Sequence, residues 1–249
     1  MIGALAFILG LVGGSFVNAL VWRLDKNERI ALARSKCVHC RHTLAAGDLV
    51  PLISFLWLKG RCRYCQKNIS WQYPAVELAA GLVFWVIAQS GLGLDNKIWL
   101  AGLFLIGLAI FIYDLKYTLI PNVFITTGLV WALAGILILE PSRLISGLSA
   151  GVVISVFFLI LYLVSKGSWI GGGDIKLGFL MGLWLGWPMA VVALLFSYVI
   201  GAIIGLTLIA TQKATLKSQI PFGPFLITAS VIVYIYGDKI LAWFSGLIL

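Results

Sequence analysis

Two aspartates lie at positions where their carboxyl groups could catalyse the hydrolysis of a peptide bond. Asp174 directly follows three consecutive glycines, and Asp114 stands at the end of an earlier apolar run. A carboxylate at the edge of a membrane span is energetically costly, so its presence there indicates a functional site. Two carboxyl groups that share a hydrogen bond cannot both ionise, so one can donate a proton while the other activates a water molecule. Peptide hydrolysis needs this acid and this base, and we predict Asp114 and Asp174 as the catalytic pair.

The residues around the two aspartates leave a second interpretation open. Each aspartate is followed two residues later by a lysine, Lys116 or Lys176, so each could simply form an ion pair at the membrane surface. The catalytic interpretation is favoured over the ion-pair interpretation because one aspartate follows the glycines and the other precedes an Ile-Pro-Asn turn. Gly171, Gly172 and Gly173 would let an extended substrate backbone lie close to the carboxylates, and we expect them and the lysines to support the active site.

All four cysteines of the chain lie between the first two apolar runs, as Cys37, Cys40, Cys62 and Cys65. Two C-x-x-C pairs at this separation are typical of a structural zinc site, and so small a segment needs a metal to fold. We predict a zinc-ribbon-like segment in which four thiolates bind Zn²⁺ and leave no position for water. Two disulfides or redox dithiols are the alternative, which a cytoplasmic location disfavours. The two histidines of the chain lie nearby and are expected at the surface.

Three residues in the first two apolar runs are candidates for a contact between helices or for a polar site. Gly14 and Asn18 lie in the first run, and Glu77 lies about one turn into the second. Small residues and a lone amide favour close packing and hydrogen bonds between helices, an interpretation at least as good as a catalytic one. Glu77 either pairs with a basic residue of the preceding segment or belongs to a polar site, and the pairing is favoured.

The composition is that of a membrane protein. The 249 residues are 61% hydrophobic and 11% charged, with a mean hydropathy of +1.06, whereas a soluble domain contains about 25% charged residues. A helix that spans the bilayer needs about 20 mostly apolar residues, and eight such runs are present. The sixth is short and could instead form a partly buried helix. The predicted spans are 1–22, 73–90, 98–113, 122–139, 144–164, 175–187, 188–210 and 224–247.

The basic residues predict the orientation of the chain in the membrane. The segment 23–72 contains ten of the 18 lysines and arginines, and cytoplasmic loops are enriched in these residues. With eight spans, both termini then lie outside, and the segment 23–72 and the two aspartates lie at the cytoplasmic face. The net charge of +9 reflects this topology and attraction to anionic lipid headgroups, so it does not indicate a nucleic-acid partner. The first run lacks the features of a cleaved signal peptide, and we expect a membrane helix there.

These observations predict an all-α polytopic membrane protein with about eight transmembrane helices. We expect residues 1–22 to form the first transmembrane helix and residues 23–72 to form a small cytoplasmic zinc-binding segment, with four cysteine ligands, between helices 1 and 2. Residues 73–249 would then form a seven-helix membrane aspartic peptidase domain.

Six short motifs, in order along nearly the whole chain, resemble those of the bacterial prepilin peptidases. This family, also called type IV leader peptidases, consists of membrane aspartic proteases of the GxGD type. Any one of the motifs is weak alone, but their order and the hydropathy together are specific. The motifs are GSFVNALVWR at 14–23, the paired C-x-x-C segment, SWQYPAVE at 70–77, Asp114 with IPN at 120–122, GGGDIK at 171–176 and PFGP at 221–224.

The resemblance implies both an activity and a set of partners. Enzymes of this family reside in the bacterial inner membrane and cleave the short basic leader of type IV prepilins or pseudopilins, which would make Asp114 and Asp174 the catalytic pair. Many of them then methylate the new N-terminus with S-adenosylmethionine, an activity associated with the cytoplasmic loop. No G-x-G-x-x-G motif follows a strand here, so the residues give no independent support for this cofactor. Its candidate binding residues are Gly14, Asn18, Arg23 and Glu77.

Other functions would use the same residues differently. A GxGD protease could cut other membrane substrates. A proton-coupled transporter would use Glu77, Asp114 and Asp174 as a relay, but it would need carboxylates near the bilayer midplane. A membrane scaffold would use the aspartates only as ion-pair partners and would tolerate their replacement by asparagine.

Overall fold

The computed structural model describes residues 2–26, 28, 34–215 and 218–248. Regular structure in these residues is helical, apart from two isolated β-bridges, and it includes short 3-10 helices at Ala46–Leu49 and Pro141–Arg143. The prediction of an all-α protein is therefore confirmed for this part of the chain. The α-helices are α1 (Ile2–Asp25), α2 (Ile53–Trp57), α3 (Gln72–Gln89), α4 (Leu94–Tyr117), α5 (Asn122–Leu139), α6 (Leu144–Ser165), α7 (Gly172–Leu185), α8 (Met189–Ala210) and α9 (Gly223–Ile248).

Six of the described helices are long and apolar enough to cross a membrane, namely α1, α4, α5, α6, α8 and α9. The other two predicted spans also fold as helices, α3 and α7, but they do not meet both conditions. With 14 residues, α7 is about 21 Å long, shorter than a hydrocarbon core of about 30 Å. The residues of α7 from Leu180 to Leu185 are all buried. The sixth apolar run therefore forms a partly buried helix, which is the alternative that its short length suggested.

The chain divides into two compact units, Met1–Leu105 and Ile106–Leu249, with the boundary inside α4. In the first unit α1 packs against α3 through glycines that allow close approach. A side chain at Gly10 would collide with the carbonyl oxygen of Ala80, and a Cβ atom at Gly14 would lie 2.8 Å from the Cα atom of Glu77. The small residues of α1 therefore serve helix packing, as the sequence indicates. The three-part division of the chain remains a prediction.

In the second unit α7 packs against α6 in the same close way. A Cβ atom at Gly182 would lie 2.5 Å from the backbone of Gly151, and one at Gly147 would lie 2.5 Å from the carbonyl oxygen of Leu183. At the end of α7, the Arg143 guanidinium donates hydrogen bonds of 3.2 and 3.0 Å to the last two carbonyl oxygens of the helix. These contacts hold α7 in place along its own axis, and α7 carries Asp174 in its first turn.

Candidate active site

Asp114 lies in the last turn of α4 and is 4% exposed. Its Oδ2 atom accepts a 3.0 Å hydrogen bond from the backbone N–H of Gly223, which begins α9. A Cβ atom at position 223 would lie 2.6 Å from the same oxygen. Only glycine therefore leaves room for the carboxylate where the N–H group holds it.

Asp174 is the third residue of α7 and is 8% exposed. Its Oδ2 atom accepts a 3.1 Å hydrogen bond from the backbone N–H of Gly171, the residue that caps the helix. A carboxylate in the first turn is favoured because the N–H groups of that turn carry partial positive charge. The local sequence thus fixes the direction of this side chain.

Ile120 links the surroundings of the two aspartates. A Cβ atom at Gly173 would lie 2.9 Å from the Ile120 Cβ atom, and one at Gly223 would lie 3.4 Å from the Ile120 Cδ1 atom. The isoleucine thus packs both beside Asp174 and against the glycine that holds Asp114. The two carboxylates also lie near enough for Asp114 to act electrostatically on Asp174. The structure therefore brings the two predicted catalytic residues together within one unit.

The nearby lysines do not neutralise the aspartates. The Lys176 Nζ atom donates a 2.7 Å hydrogen bond to the Asn122 side chain, and the Lys116 Nζ atom lies 5.1 Å from the centre of the Tyr117 ring. Among the described residues, no ion pair includes either aspartate. The interpretation of each aspartate as the partner of its nearest lysine therefore has no support in this geometry.

The three glycines before Asp174 have different surroundings. Gly171 has an extended backbone and supplies the N–H group that holds the aspartate. Gly173 lies against Ile120 and needs to be small for that contact. An atom added at Gly172 would meet nothing within 4 Å, so this residue alone has the open space that the sequence predicts for all three.

Two residues at the site were not predicted from the sequence as functional. Gly223 donates the hydrogen bond to Asp114, and Ile120 packs beside both aspartates. The signal for them was present, because Gly223 lies in the PFGP motif and Ile120 opens the IPN motif. Neither position carries a chemically active side chain, so their contribution follows only from contacts between distant parts of the chain.

In the first unit the four cysteines form one cluster. All four Sγ atoms lie within 4.8 Å of one another, and those of Cys37 and Cys65 are 3.9 Å apart. Four sulfurs placed about 2.3 Å from a central zinc ion would be about 3.8 Å apart, whereas a disulfide needs about 2.05 Å. The described cysteines are all free thiols, so the geometry fits a shared metal and not a pair of disulfides.

Two similar turns build the cysteine cluster. In the first, the Cys37 N–H donates to the His42 carbonyl at 2.9 Å, and in the second the Cys62 N–H donates to the Lys67 carbonyl at 2.9 Å. Burial alone would raise the pKa of the Cys37 thiol, but hydrogen bonds from the backbone at Cys40 and His39 lower it to about 7. Such a thiol ionises readily. At Cys65 a backbone hydrogen bond from Lys67 would lower the pKa, but burial and the neighbouring thiols outweigh it and raise the pKa to about 11, so the two thiols ionise differently without a metal.

An ion pair joins the two halves of the cysteine segment. The Asp48 side chain is 2% exposed and accepts a 2.7 Å hydrogen bond from Arg63. Burial alone would raise the pKa of Asp48, but the hydrogen bonds from Arg63 and from the Ala45 N–H outweigh it and lower the pKa. The carboxylate therefore stays ionised at neutral pH and ties the second turn to the 3-10 helix before it.

Glu77 does not pair with the basic residues expected from the sequence. Its Oε2 atom accepts a 2.9 Å hydrogen bond from the Leu52 N–H, and Arg63 instead pairs with Asp48. The expectation of a basic partner for Glu77 was therefore wrong: Arg63 is close in sequence, but the fold directs it to another carboxylate. Glu77 anchors the cysteine segment to α3.

The other candidate cofactor residues also lie in the first unit. The Asn18 Nδ2 atom donates to the Tyr73 carbonyl at 3.2 Å, and its Oδ1 atom accepts from Gln72 at 3.4 Å. Gly14 is closed by the packing of α3, and Arg23 lies in the last turn of α1. Since the polar atoms of Asn18 are already bonded within the unit and Gly14 is closed by packing, these two residues form a contact between helices.

Two parts of the chain match models of known protein families. Residues 8–90 match the bacterial peptidase A24 N-terminal domain, and residues 99–206 match the type IV leader peptidase family. A Bacillus subtilis protein named prepilin leader peptidase/N-methyltransferase is 33% identical over 97% of both chains. The chain belongs to the type IV leader peptidase family. No solved structure gives a significant match.

Further members of the type IV leader peptidase family match over most of their length. The protein of the same name from Aeromonas salmonicida is 32% identical, covering 99% of this chain and 94% of the relative. That from Pseudomonas aeruginosa is 30% identical, covering 94% of this chain and 90% of the relative. With six helices able to cross a bilayer, this family member is a multi-pass membrane protein.

Proposed function

We propose that the protein is a membrane aspartic endopeptidase that removes the basic leader of type IV prepilins or pseudopilins. The observation that carries the proposal is the approach of two buried carboxylates, Asp114 and Asp174, each held by a backbone N–H group. Their neighbouring lysines leave them unpaired, as a proton-sharing pair requires. The names of the relatives supply the substrate class.

The two carboxyl groups divide the chemistry of hydrolysis. The ionised carboxylate takes a proton from a water molecule, and the oxygen of that water attacks the carbonyl carbon of the scissile peptide bond. The protonated one donates to the leaving nitrogen as the C–N bond breaks, so the products are a free carboxylate and a free amine. Gly223 and Gly171 supply the N–H groups that hold each carboxylate in position, and the open space beside Gly172 admits substrate backbone.

Asparagine substitutions test the peptidase. Asp114→Asn and Asp174→Asn should each abolish leader removal from a prepilin in membranes, because neither amide can exchange the required proton. Asp95→Asn is the matched control, since Asp95 is an exposed residue in the first turn of the same helix as Asp114. Full cleavage by either active-site variant would refute the proposal and favour a scaffold.

The position of the aspartates argues against a transporter. Asp114 lies in the last turn of α4 and Asp174 lies in the first turn of α7, so both are at helix ends. A proton relay would need carboxylates along the middle of the spans. A GxGD protease with other membrane substrates shares the same chemistry, and a panel of substrate peptides distinguishes it from a prepilin peptidase.

We also propose that Zn²⁺ is the metal of the Cys37, Cys40, Cys62 and Cys65 cluster. Four thiolates at these separations match a tetrahedral zinc site, and they leave no ligand position for water. The metal would therefore stabilise the segment and take no part in hydrolysis. Metal analysis of the purified protein tests this assignment.

Methylation of the new N-terminus is proposed on the name that the relatives carry. Asn18 and Glu77 are engaged in bonds within their own unit and Gly14 is closed by packing, so these residues do not fit an open site for S-adenosylmethionine. The mass of a prepilin peptide after incubation with and without S-adenosylmethionine decides the point. Leader loss alone would indicate the peptidase, and a further gain of one methyl group would indicate the transferase.

We further propose a bacterial inner membrane location with both termini outside and residues 23–72 in the cytoplasm. The excess of basic residues in that segment supports this orientation, and it favours contact with anionic headgroups. A basic segment would repel the basic leader of a prepilin, so we do not expect it to clamp the substrate. The accessibility of each terminus to protease in intact cells tests the topology.

A further inference from the structure

The short helix α2 presents an apolar face outward. The side chains of Ile53, Leu56 and Trp57 are 62%, 71% and 81% exposed. The Phe55 side chain is buried, and the centre of its ring lies 5.0 Å from the centre of the Trp71 ring. The Trp71 side chain is itself 75% exposed. Exposed apolar side chains gathered in this way mark a contact surface, and water would be an unfavourable neighbour for them.

The depth of α2 is set by its attachment to α3. The Leu52 N–H, directly before α2, donates to the carboxylate of Glu77, and Glu77 lies level with Gly14 of α1. Gly14 precedes Trp22 by eight residues, which places it about 12 Å along the helix axis from Trp22 and the adjacent charged residue Arg23. The residue that holds the start of α2 therefore has its backbone about 12 Å below the charged end of α1.

The backbone of this segment is compatible with hydrocarbon. A lipid-exposed N–H group without a partner is costly, so irregular chain is normally excluded from that region. Here the turns around α2 bond their N–H groups internally, and Pro51 has none to bond. The bonds run from Ile53 to Pro51, Ser54 to Val50, Leu56 to Leu52, Leu58 to Ser54 and Gly60 to Phe55, with lengths of 2.6, 3.0, 3.0, 2.9 and 2.8 Å.

We propose that residues 51–58 form a re-entrant element that inserts its apolar face into the acyl region of the adjacent lipid leaflet. The exposed basic residues Lys59, Arg61 and Lys67 follow it and would meet the anionic headgroups above. Exposed Trp57 and Trp71 are residues favoured at the boundary between headgroups and acyl chains. The cysteine segment is then held on the membrane by lipid contact as well as by its two flanking helices.

Photo-crosslinking to lipid tests this insertion. The full-length protein is reconstituted in nanodiscs of phosphatidylglycerol and phosphatidylcholine with a benzoyl-phenylalanine in place of Trp57 and, in a second variant, of Leu56. The control carries the probe at Gly47, where an added side chain meets no atom within 4 Å beside the Asp48–Arg63 ion pair. Metal content identifies correctly folded preparations of each variant.

The expected result is lipid adducts on peptides containing position 57 or 56, at a yield at least tenfold above that at position 47. The proposal would be overturned if the yield of lipid adducts at positions 56 and 57 were no higher than that at position 47. Cross-linked dimers in place of lipid adducts would also overturn it, because they would show that the face binds a second copy of the chain.

Discussion

A methyl group at position 223 should inactivate the peptidase without unfolding it. In Gly223→Ala the added carbon would lie 2.6 Å from the Asp114 Oδ2 atom, whereas ordinary contacts begin at 3.4 Å. The carboxylate would have to retreat by about 0.8 Å. It can do so by rotating, because it is the free end of a short side chain, so the expected cost in stability is small.

The same retreat should be costly for catalysis. It lengthens the 3.0 Å bond from the Gly223 N–H to Asp114 and moves this carboxylate relative to Asp174. A displacement of about 1 Å at a reacting group costs about 100-fold in rate, or about 2.7 kcal/mol in the activation free energy. We therefore expect prepilin cleavage by Gly223→Ala to fall by about two orders of magnitude.

The measurement is the initial rate of leader removal from a prepilin peptide, at equal amounts of folded enzyme in detergent or nanodiscs. Gly205→Ala is the control, because its added carbon would have one neighbour, an Ile220 methyl group at an ordinary 3.8 Å. The control should cleave at the normal rate. Cleavage by Gly223→Ala at more than half the normal rate would show that Asp114 does not need this position.

The remaining predictions concern the cysteine cluster and helix packing. If the cluster binds one Zn²⁺ ion as proposed, Cys62→Ser should lower the zinc content measured by elemental analysis to a small fraction and should make the segment 34–72 sensitive to trypsin. Gly182→Ala should destabilise the second unit by about 1–3 kcal/mol, because its added carbon would lie 2.5 Å from backbone atoms of Gly151 that cannot rotate away. Thermal unfolding measures this loss, and a melting temperature equal to that of Gly205→Ala would contradict it.

Local signals in the sequence were sufficient for most of the elements. Apolar runs predicted eight membrane spans; each of the eight contains a helix in the described residues, and six of these helices are long and apolar enough to cross a membrane. The C-x-x-C spacing predicted that Cys37, Cys40, Cys62 and Cys65 would cluster, which the structure confirms. These signals succeed because hydrophobic length and short metal-ligand turns depend on neighbouring residues only.

These local signals could not predict contacts between residues that are distant along the chain. Sequence proximity favoured a basic partner for Glu77, but the Leu52 N–H takes that place. Gly223 and Asp114 lie 109 positions apart, so no local pattern could show that one holds the other. The exposed apolar face of α2 and its attachment to α3 likewise became visible only in the folded chain.

The amino-acid sequence by itself determined the class of protein, the helices and the cysteine cluster, and it supplied the prediction of Asp114 and Asp174 as the catalytic pair, because each depends on composition, on spacing or on residue type. The tertiary structure alone decided which backbone groups hold the two carboxylates and where α2 is attached to α3. The physical reason is that hydrogen bonds and close packing act over a few ångströms in space, whatever the distance along the chain. Only the folded chain brings Gly223 to Asp114 and Leu52 to Glu77.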